Sequence, residues 1–338
     1  MTNKRYFVGR IGQAIFTFWC VVTLAFALIR LMPGGPAALL RSRLETSGRV
    51  LSDEEIQARV ELLLSVHPDK PIPEAYVDYV SGVLTGNLGE SIWYGSKVTE
   101  ILAEAMPWTI YLSAVSLLLT YAMGIALGAA MAYAEGSKFD FGSTTISIII
   151  TSIPFYVLAV ALLWFMGFEW GWFPTAGRVA QDIEPGLNPD YVVSILRHSA
   201  MPIMALSIAG FGGRALSMRG NSIQVLGNDY LRVARLRGLS ERRISLRYVA
   251  RNAILPMYTG IMISIGSLFG GSIILEEIFT YPGAGYYVFS ALEARDYPLL
   301  MGGFLFITLG VVVGITIADL SYGLVDPRAG SGADRESF

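Results

Sequence analysis

Residues 109–133 decide the fold of this chain: they read TIYLSAVSLLLTYAMGIALGAAMAY, without one charged side chain. About 20 apolar residues are enough for a helix to cross the roughly 30 Å of hydrocarbon in a bilayer. The same apolar pattern recurs on both sides of this stretch. Six apolar blocks reach or approach the required length and predict six transmembrane helices: Ile11–Leu31, Thr109–Tyr133, Ile146–Met166, Ala200–Leu216, Ile254–Ile274 and Leu299–Leu320.

The composition agrees with a membrane protein. Of 338 residues, 53% are hydrophobic and 15% are charged, whereas a soluble domain carries about a quarter charged residues. The formal net charge is −2, so no basic excess points to a nucleic-acid partner. The chain is therefore predicted to be an all-α polytopic protein of the cell (cytoplasmic) membrane, in contact with lipid.

The fourth block is the shortest, because Arg214 ends its apolar run. It completes a span only if the Arg214 side chain reaches the headgroups or faces protein.

The distribution of charge predicts the side of the membrane that each connection faces. The N-terminus carries Lys4, Arg5 and Arg10 without an acid, and the connection after the fourth block is rich in arginine. The segment between the first two blocks is rich in acids. Both termini and the arginine-rich connection are accordingly expected in the cytoplasm. The short loop Glu135–Asp140, with two acids and one lysine, does not fit this pattern.

This orientation divides the chain into four parts. Residues 1–33 hold the cytoplasmic N-terminus and the first span, and residues 34–107 form an extracytoplasmic helical lobe. The remaining five spans occupy 108–325, with a basic loop at about 217–253, and 326–338 form a cytoplasmic tail. Within the lobe, Ser52-Asp53-Glu54-Glu55 predicts a helix N-cap, and a second short helix is expected around Ala75–Leu84, closing near Gly86.

The sequence offers no enzyme site. A P-loop needs Gly-Lys followed by Ser or Thr to hold phosphates, and none of the four lysines follows a glycine. Two histidines and one cysteine are too few for a zinc set or a Cys/His pair. We therefore expect no catalytic residue, no metal and no cofactor.

The basic loop shows an ordered pattern, reading DYLRVARLRGLSERR at 229–243. A helix from about Tyr230 would end where Gly238 takes the left-handed conformation. Ser240 can then cap a second helix that continues to Pro256. These caps favour a docking element over a polybasic loop that only satisfies the orientation rule. The first helix would offer an apolar knob made of Leu231, Ala234, Leu236 and Leu239.

Two features within the spans have alternative interpretations. Pro154 in the third span is either a gate hinge or a tolerated kink. Small residues of the fifth span either line a translocation path, meet a partner subunit or simply pack within the chain. The candidates there are Ser264, Ser267 and Gly270.

Short motifs recur in a fixed order along the chain: Met32-Pro33-Gly34-Gly35-Pro36-Ala37, Asp69-Lys70-Pro71, Gly86-Asn87-Leu88-Gly89 with Ser91, Glu277, Phe279, Pro282-Gly283, Gly285, Arg295-Asp296-Tyr297-Pro298 and Asp326-Pro327-Arg328. Together, on a six-helix plan, they resemble an ABC-transporter permease of the dipeptide/oligopeptide/nickel type, the first permease of that system's pair. Gly35 and Asn87 depart from the family's usual residues, and Arg232 stands where the wider superfamily has Glu.

The resemblance implies a type I ABC importer permease fold and a transport subunit that is not itself an enzyme. Its basic loop would couple to an ATPase through Tyr230, Leu231, Arg232, Ala234, Arg235, Gly238, Leu239 and Pro256. It further implies a second homologous permease, one or two ATP-binding cassette subunits and an extracytoplasmic substrate-binding protein. Di- and oligopeptides are the expected substrates, with nickel complexes and oligosaccharides as alternatives. A secondary transporter or channel that works alone is the rival function.

Overall fold

The computed structural model of the chain describes residues 4–30, 52, 54–55, 71–186 and 188–325, without the side chains of 4–7, 29–30, 241–242, 245–246, 266–267 and 318–325. These residues form helices joined by turns, and the β pairing found among them is one isolated bridge between Glu90 and Lys97. The predicted all-α fold is confirmed.

Thirteen α-helices make up the described part, with short π and 3-10 turns between some of them. In chain order they are α1 Lys4–Arg30, α2 Ile72–Leu84, α3 Val98–Tyr133, α4 Lys138–Ser152, α5 Phe155–Leu162 extended by a π segment at Leu163–Glu169, α6 Pro189–Leu226, α7 Asp229–Leu236, α8 Glu241–Ile244, a π turn at Ser245–Val249, α9 Ala250–Ala253, α10 Leu255–Gly266, a 3-10 turn at Ser267–Gly270, α11 Ile273–Ile278, α12 Ala284–Ala294 and α13 Tyr297–Val325.

Among these residues, five helical stretches are long and apolar enough to cross a membrane, and α4 with α5 supplies a sixth span if the bent pair counts as one. The block that looked shortest in sequence, Ala200–Leu216, lies inside the 38-residue helix α6. The flanking turns of α6 are more polar than its centre, so hydropathy alone underestimated the helix.

Pro154 breaks the third span instead of bending it gently. The two halves meet at 91°, and Ile153 is extended, with φ −86° and ψ 121°. The cause is local, because a residue before proline is driven away from the helical region and proline has no N–H for the helix ladder. Pro154 thus stands at the start of α5.

The described residues fall into two compact units, one from 1–110, 269–273 and 282–338, the other from 111–268 and 274–281. In the first unit, α1, α2, α12 and α13 contribute to one hydrophobic core, which includes Val22, Phe26, Tyr79, Leu102, Val288, Leu299 and Leu305. The short helix expected at Ala75–Leu84 is confirmed by α2, and Gly86 follows with φ +79°.

The capping pattern at Ser52 is present as well. Ser52 Oγ accepts a hydrogen bond from the Glu55 amide at 3.3 Å, and the Glu55 carboxylate accepts one from the Ser52 amide at 2.9 Å. This reciprocal pair is a capping box. The helix predicted beyond it lies outside the described residues.

In the second unit, α3 and α6 run parallel and pack closely. Tyr111 pairs with Ser199 at one end, and Gly128 meets Ala215 and Met218 at the other. A Cβ atom on Gly124 would lie 2.5 Å from the Cβ of Arg214, so only glycine allows this approach. The spacing of Gly124 and Gly128 therefore serves packing within the chain, as small-xxx-small pairs do in membranes.

Two of the sequence motifs meet in the first unit. The fully buried Asp296 carboxylate accepts hydrogen bonds from Ser91 Oγ at 2.5 Å and from the Trp93 amide at 2.9 Å. Its other oxygen accepts from the Leu299 amide at 3.2 Å, in the first turn of α13. One aspartate thus ties the loop before α3 to a helix N-terminus, where a negative charge is favoured.

We expect Asp296→Ala to lower the stability of the first unit. The change leaves two buried donors and one part-buried donor without their acceptor and should cost about 3 kcal/mol. The measurement is the melting temperature of the purified protein in detergent. Glu293→Ala is the control, because Glu293 is an exposed acid on the neighbouring helix α12 and should melt like the unchanged protein. Equal melting temperatures for both variants would contradict the role given to Asp296.

Candidate docking surface on the basic loop

The first helix of the basic loop is α7, and its ends follow from local chemistry. Asp229 lies in its first turn, where a negative charge interacts well with the helix dipole. At the other end, Gly238 has φ +71°, and the Leu239 amide donates to the Ala234 carbonyl at 3.3 Å. This is a Schellman-type C-cap. The left-handed Gly238 expected from the sequence is confirmed, and α7 begins one residue earlier than predicted.

The predicted single helix from Ser240 to Pro256 is wrong in detail. A π turn at Ser245–Val249 divides it into α8 and α9, and Pro256 belongs to α10. The turn has a packing reason, because residues five apart share a face where the backbone bonds i to i+5. It brings Ile244 and Val249 into one buried cluster. Pro256 is exposed and stands in the first turn of α10, where proline is tolerated.

The apolar knob predicted on α7 needs correction. Leu231 is fully buried and Ala234 is 4% exposed, both in the cluster with Ile244 and Val249. Leu239 is half-buried beside them. These side chains hold α7 against the rest of the loop and are not available to a partner. Of the four predicted residues, only Leu236 is largely exposed, at 80%.

A different set of apolar side chains is exposed on α7. Tyr230, Val233 and Leu236 are 41%, 47% and 80% exposed, and their spacing of three puts them on one side of the helix. We name these three residues the docking face. Val233 was not among the residues predicted for this surface, although its spacing of three from Tyr230 and from Leu236 indicates a shared face. Around the docking face, three arginines are exposed: Arg232, Arg235 and Arg237.

An ion pair holds α6 seven residues before its last residue, Leu226, beyond which the chain enters this loop. Arg219 Nε and Nη2 donate to the two carboxylate oxygens of Asp140 at 2.6 and 2.7 Å, a bidentate geometry that fixes both side chains. The Gly136 amide donates to Asp140 as well, at 3.0 Å. Asp140 is therefore neutralised by Arg219, which explains why an acid can stand in a short loop that did not fit the charge pattern.

The four path candidates lie in different places. Pro154 is exposed at the break between α4 and α5, and Ser264 is half-buried on α10 in the second unit. Ser264 Oγ donates to the Gly260 carbonyl at 2.8 Å and lies 3.3 Å from the Tyr121 hydroxyl. Gly270 belongs to the first unit, where a Cβ on it would be 3.8 Å from Val311. The Ser267 side chain is outside the described set. A transport role for these residues stays a prediction.

Over the described ranges, no group of three or more His, Cys, Asp or Glu side chains could hold a metal ion. The loop presents a short, capped helix with an apolar face between arginines. Such a surface is suited to binding a protein groove that carries negative charge.

Comparison with known proteins gives the broader context. A family model for the inner membrane component of binding-protein-dependent transport systems matches residues 124–331. The di/tripeptide transport system permease protein DppB of Pseudomonas aeruginosa is 32% identical over 336 residues, covering 96% of this chain and 98% of that protein. The oligopeptide transport system permease protein AppB of Bacillus subtilis is 31% identical, with the same coverage of both chains. The dipeptide transport system permease protein DppB of Escherichia coli is 29% identical, again over 96% and 98%.

The burial pattern of α7 yields a matched pair of variants. Leu231→Asp places a carboxylate in the buried cluster and should destabilise the loop by at least about 3 kcal/mol. Leu236→Asp makes the same change at a solvated position and should leave the fold intact. Trypsin cleavage at the loop arginines, followed over time in detergent, measures the difference. Equal cleavage rates in the two variants would show that the buried and exposed faces of α7 are misassigned.

Proposed function

The chain belongs to the family of inner membrane components of binding-protein-dependent transport systems, and on that premise we propose that it is one of two permeases in an ATP-driven importer of di- and oligopeptides. The observation that carries the ATP-driven mechanism is the exposed docking face on α7, a capped helix whose opposite side is buried against the rest of the loop. The peptide cargo is supported by the relatives, whose names refer to di/tripeptide, dipeptide and oligopeptide transport.

In this mechanism the docking face seats in a groove on an ATP-binding subunit. Tyr230, Val233 and Leu236 lose water there, and the surrounding arginines meet acidic groups at the rim. The Gly238 cap and the Leu231 cluster keep α7 rigid, so a movement of the ATPase is carried into the loop. ATP hydrolysis then belongs to the partner, since this chain has no Gly-Lys pair for a P-loop.

Helix α6 transmits the movement into the membrane. It runs without a break for 38 residues, about 57 Å at 1.5 Å per residue. Along its length it packs closely on α3 through Gly124 and Gly128 and on α4 through Gly212, and the Arg219–Asp140 pair holds α4 near its end. A shift of the basic loop therefore moves several helices together. ATP would bias this bistable assembly between inward- and outward-facing states.

The proposed assembly contains a second homologous permease, one or two ATP-binding cassette subunits and an extracytoplasmic substrate-binding protein. Both termini and the basic loop face the cytoplasm in this arrangement. Nickel complexes and oligosaccharides are the alternative cargoes. The docking face argues against a carrier that works alone, because such a carrier has no partner for it.

The assembly is tested by affinity purification from native membranes with this chain as bait. We expect a second permease and one or two ATP-binding subunits to co-purify with ATPase activity. In the same membranes, Leu236→Asp should lower ATP-driven uptake of tri-alanine by about tenfold or more, since central interface residues dominate binding. Leu84→Asp is the matched control, because Leu84 is 74% exposed at the end of α2, and should transport normally. Recovery of this chain alone, active without ATP, would refute the proposal.

The orientation is tested with single cysteines. The chain has one native cysteine, Cys20, so Cys20→Ser gives a clean background. Glu135→Cys, at an exposed position in the short connection between α3 and α4, should react with a membrane-impermeant maleimide only in inside-out vesicles, and Leu84→Cys only in right-side-out vesicles. Labelling of Glu135→Cys from the outside would reverse the predicted topology.

A further inference from the structure

One arginine within the spans of the second unit is not accounted for by the coupling mechanism. Arg214 lies on α6, and its guanidinium carbon is 4.6 Å from the centre of the Tyr121 ring on α3. The Tyr121 hydroxyl is 3.3 Å from Ser264 Oγ on α10. Gly260 faces the same place, where a Cβ would lie 3.8 Å from Arg214 Nη1. We name Arg214, Tyr121 and Ser264 the Arg214 cluster.

The Arg214 cluster lies within the apolar part of the helices. Arg214 is five residues, about 7.5 Å, further into α6 than Arg219, which pairs with Asp140 at the start of α4. Gly124, which contacts Arg214, is nine residues, about 13 Å, from the end of α3 at Tyr133. A charged side chain at such depth is strongly disfavoured in lipid, so it faces protein or a water-filled cavity.

The last two arginines of α6, Arg214 and Arg219, differ in their partners. Arg219 has a bidentate carboxylate, whereas over the described part of the chain no carboxylate is in ion-pair range of Arg214. Arg214 instead makes a cation–π contact with the Tyr121 ring. Its side chain is partly accessible in the isolated chain. A partly accessible positive charge therefore stands beside the Tyr121 ring, whose hydroxyl lies 3.3 Å from Ser264 Oγ.

We propose that the Arg214 cluster is an anion subsite on the translocation path, which binds the carboxylate of the cargo as it passes. The inference rests on the peptide-importer function proposed above and narrows the cargo to molecules with a carboxylate, such as the C-terminus of a peptide. The planar guanidinium matches a carboxylate in two parallel hydrogen bonds. The neighbouring hydroxyls of Tyr121 and Ser264 make its surroundings polar, with Ser264 already donating to the Gly260 carbonyl. A neutral oligosaccharide has no group that would use this charge.

Charge-selective labelling tests the site without relying on transport. Ser264→Cys, on the Cys20→Ser background, is nearly isosteric and keeps Arg214 in place. The intact complex, with its partner permease and ATP-binding subunits, is treated with an anionic and a cationic methanethiosulfonate reagent of similar size. We expect the anionic reagent to react faster, and the ratio of the two rates to fall about tenfold when Arg214→Gln is added, because one nearby charge has been removed. Tri-alanine should slow the anionic reaction.

A second measurement covers the transport role. Arg214→Gln should raise the KM for tri-alanine uptake about tenfold, whereas Arg214→Lys, which keeps the charge, should stay much closer to the unchanged protein. Both variants should co-purify with their partners. A purely structural Arg214, stacked on Tyr121, would instead change the amount of folded complex and leave KM and the labelling ratio unchanged.

The outcomes separate the two proposals. Equal rates for the two reagents, or no reaction at Ser264→Cys in a folded complex, would overturn the anion subsite even if tri-alanine is transported. If the unchanged complex takes up no tri-alanine while labelling still favours the anionic reagent, the peptide function is wrong and the anion subsite is supported. Labelling that favours the anionic reagent, with protection by tri-alanine, supports both.

Discussion

The structure depends on one constraint: inside a bilayer, polar groups have no water to bind and must find partners within the protein. That constraint selects helices throughout the described part of the chain. It also explains why the few ionisable groups at the helix ends have defined environments. Asp296 has three hydrogen-bond donors around it, and Asp140 has both a bidentate arginine and a backbone amide. At Pro154 the backbone ladder is interrupted because proline has no N–H and drives Ile153 into an extended conformation, so the span turns sharply.

Glycine determines how closely these helices approach. The hydrophobic effect contributes little to helix association in a bilayer, because lipid tails are as apolar as the side chains. Close packing and backbone contact have to supply the free energy of association. At Gly124, Gly128 and Gly212 the neighbouring helix lies where a side chain would otherwise be. These contacts all involve α6, which therefore links α3, α4 and the basic loop. A single long helix with close contacts along its length connects the basic loop mechanically to the packed helices of the second unit.

Much of this could be read from the sequence, for physical reasons that also set the limits. Hydropathy locates the spans because the free energy of burial in lipid depends only on the residues of each stretch. The conformation of Gly238 was predictable because a left-handed helix cap nearly requires glycine. Which stripe of α7 is buried was not predictable, because Leu231 and Leu236 are equally apolar and the choice depends on Ile244 and Val249 across the π turn. The Asp140–Arg219 and Ser91–Asp296 contacts join residues far apart in sequence, and no local sequence pattern predicts such pairs.

The length of α6 has a consequence for the lipid around it. Its apolar run Ala200–Leu216, in which Arg214 is the one charged residue, covers 17 of its 38 residues, about 25 Å of helix. That is a few ångströms less than an average hydrocarbon core, a shortfall of the kind called hydrophobic mismatch. A thick, well-ordered bilayer must thin around α6 or draw Arg214 toward its surface, and a thin bilayer relieves both strains. Acyl-chain length is thus coupled to the position of the one arginine that stands inside this span.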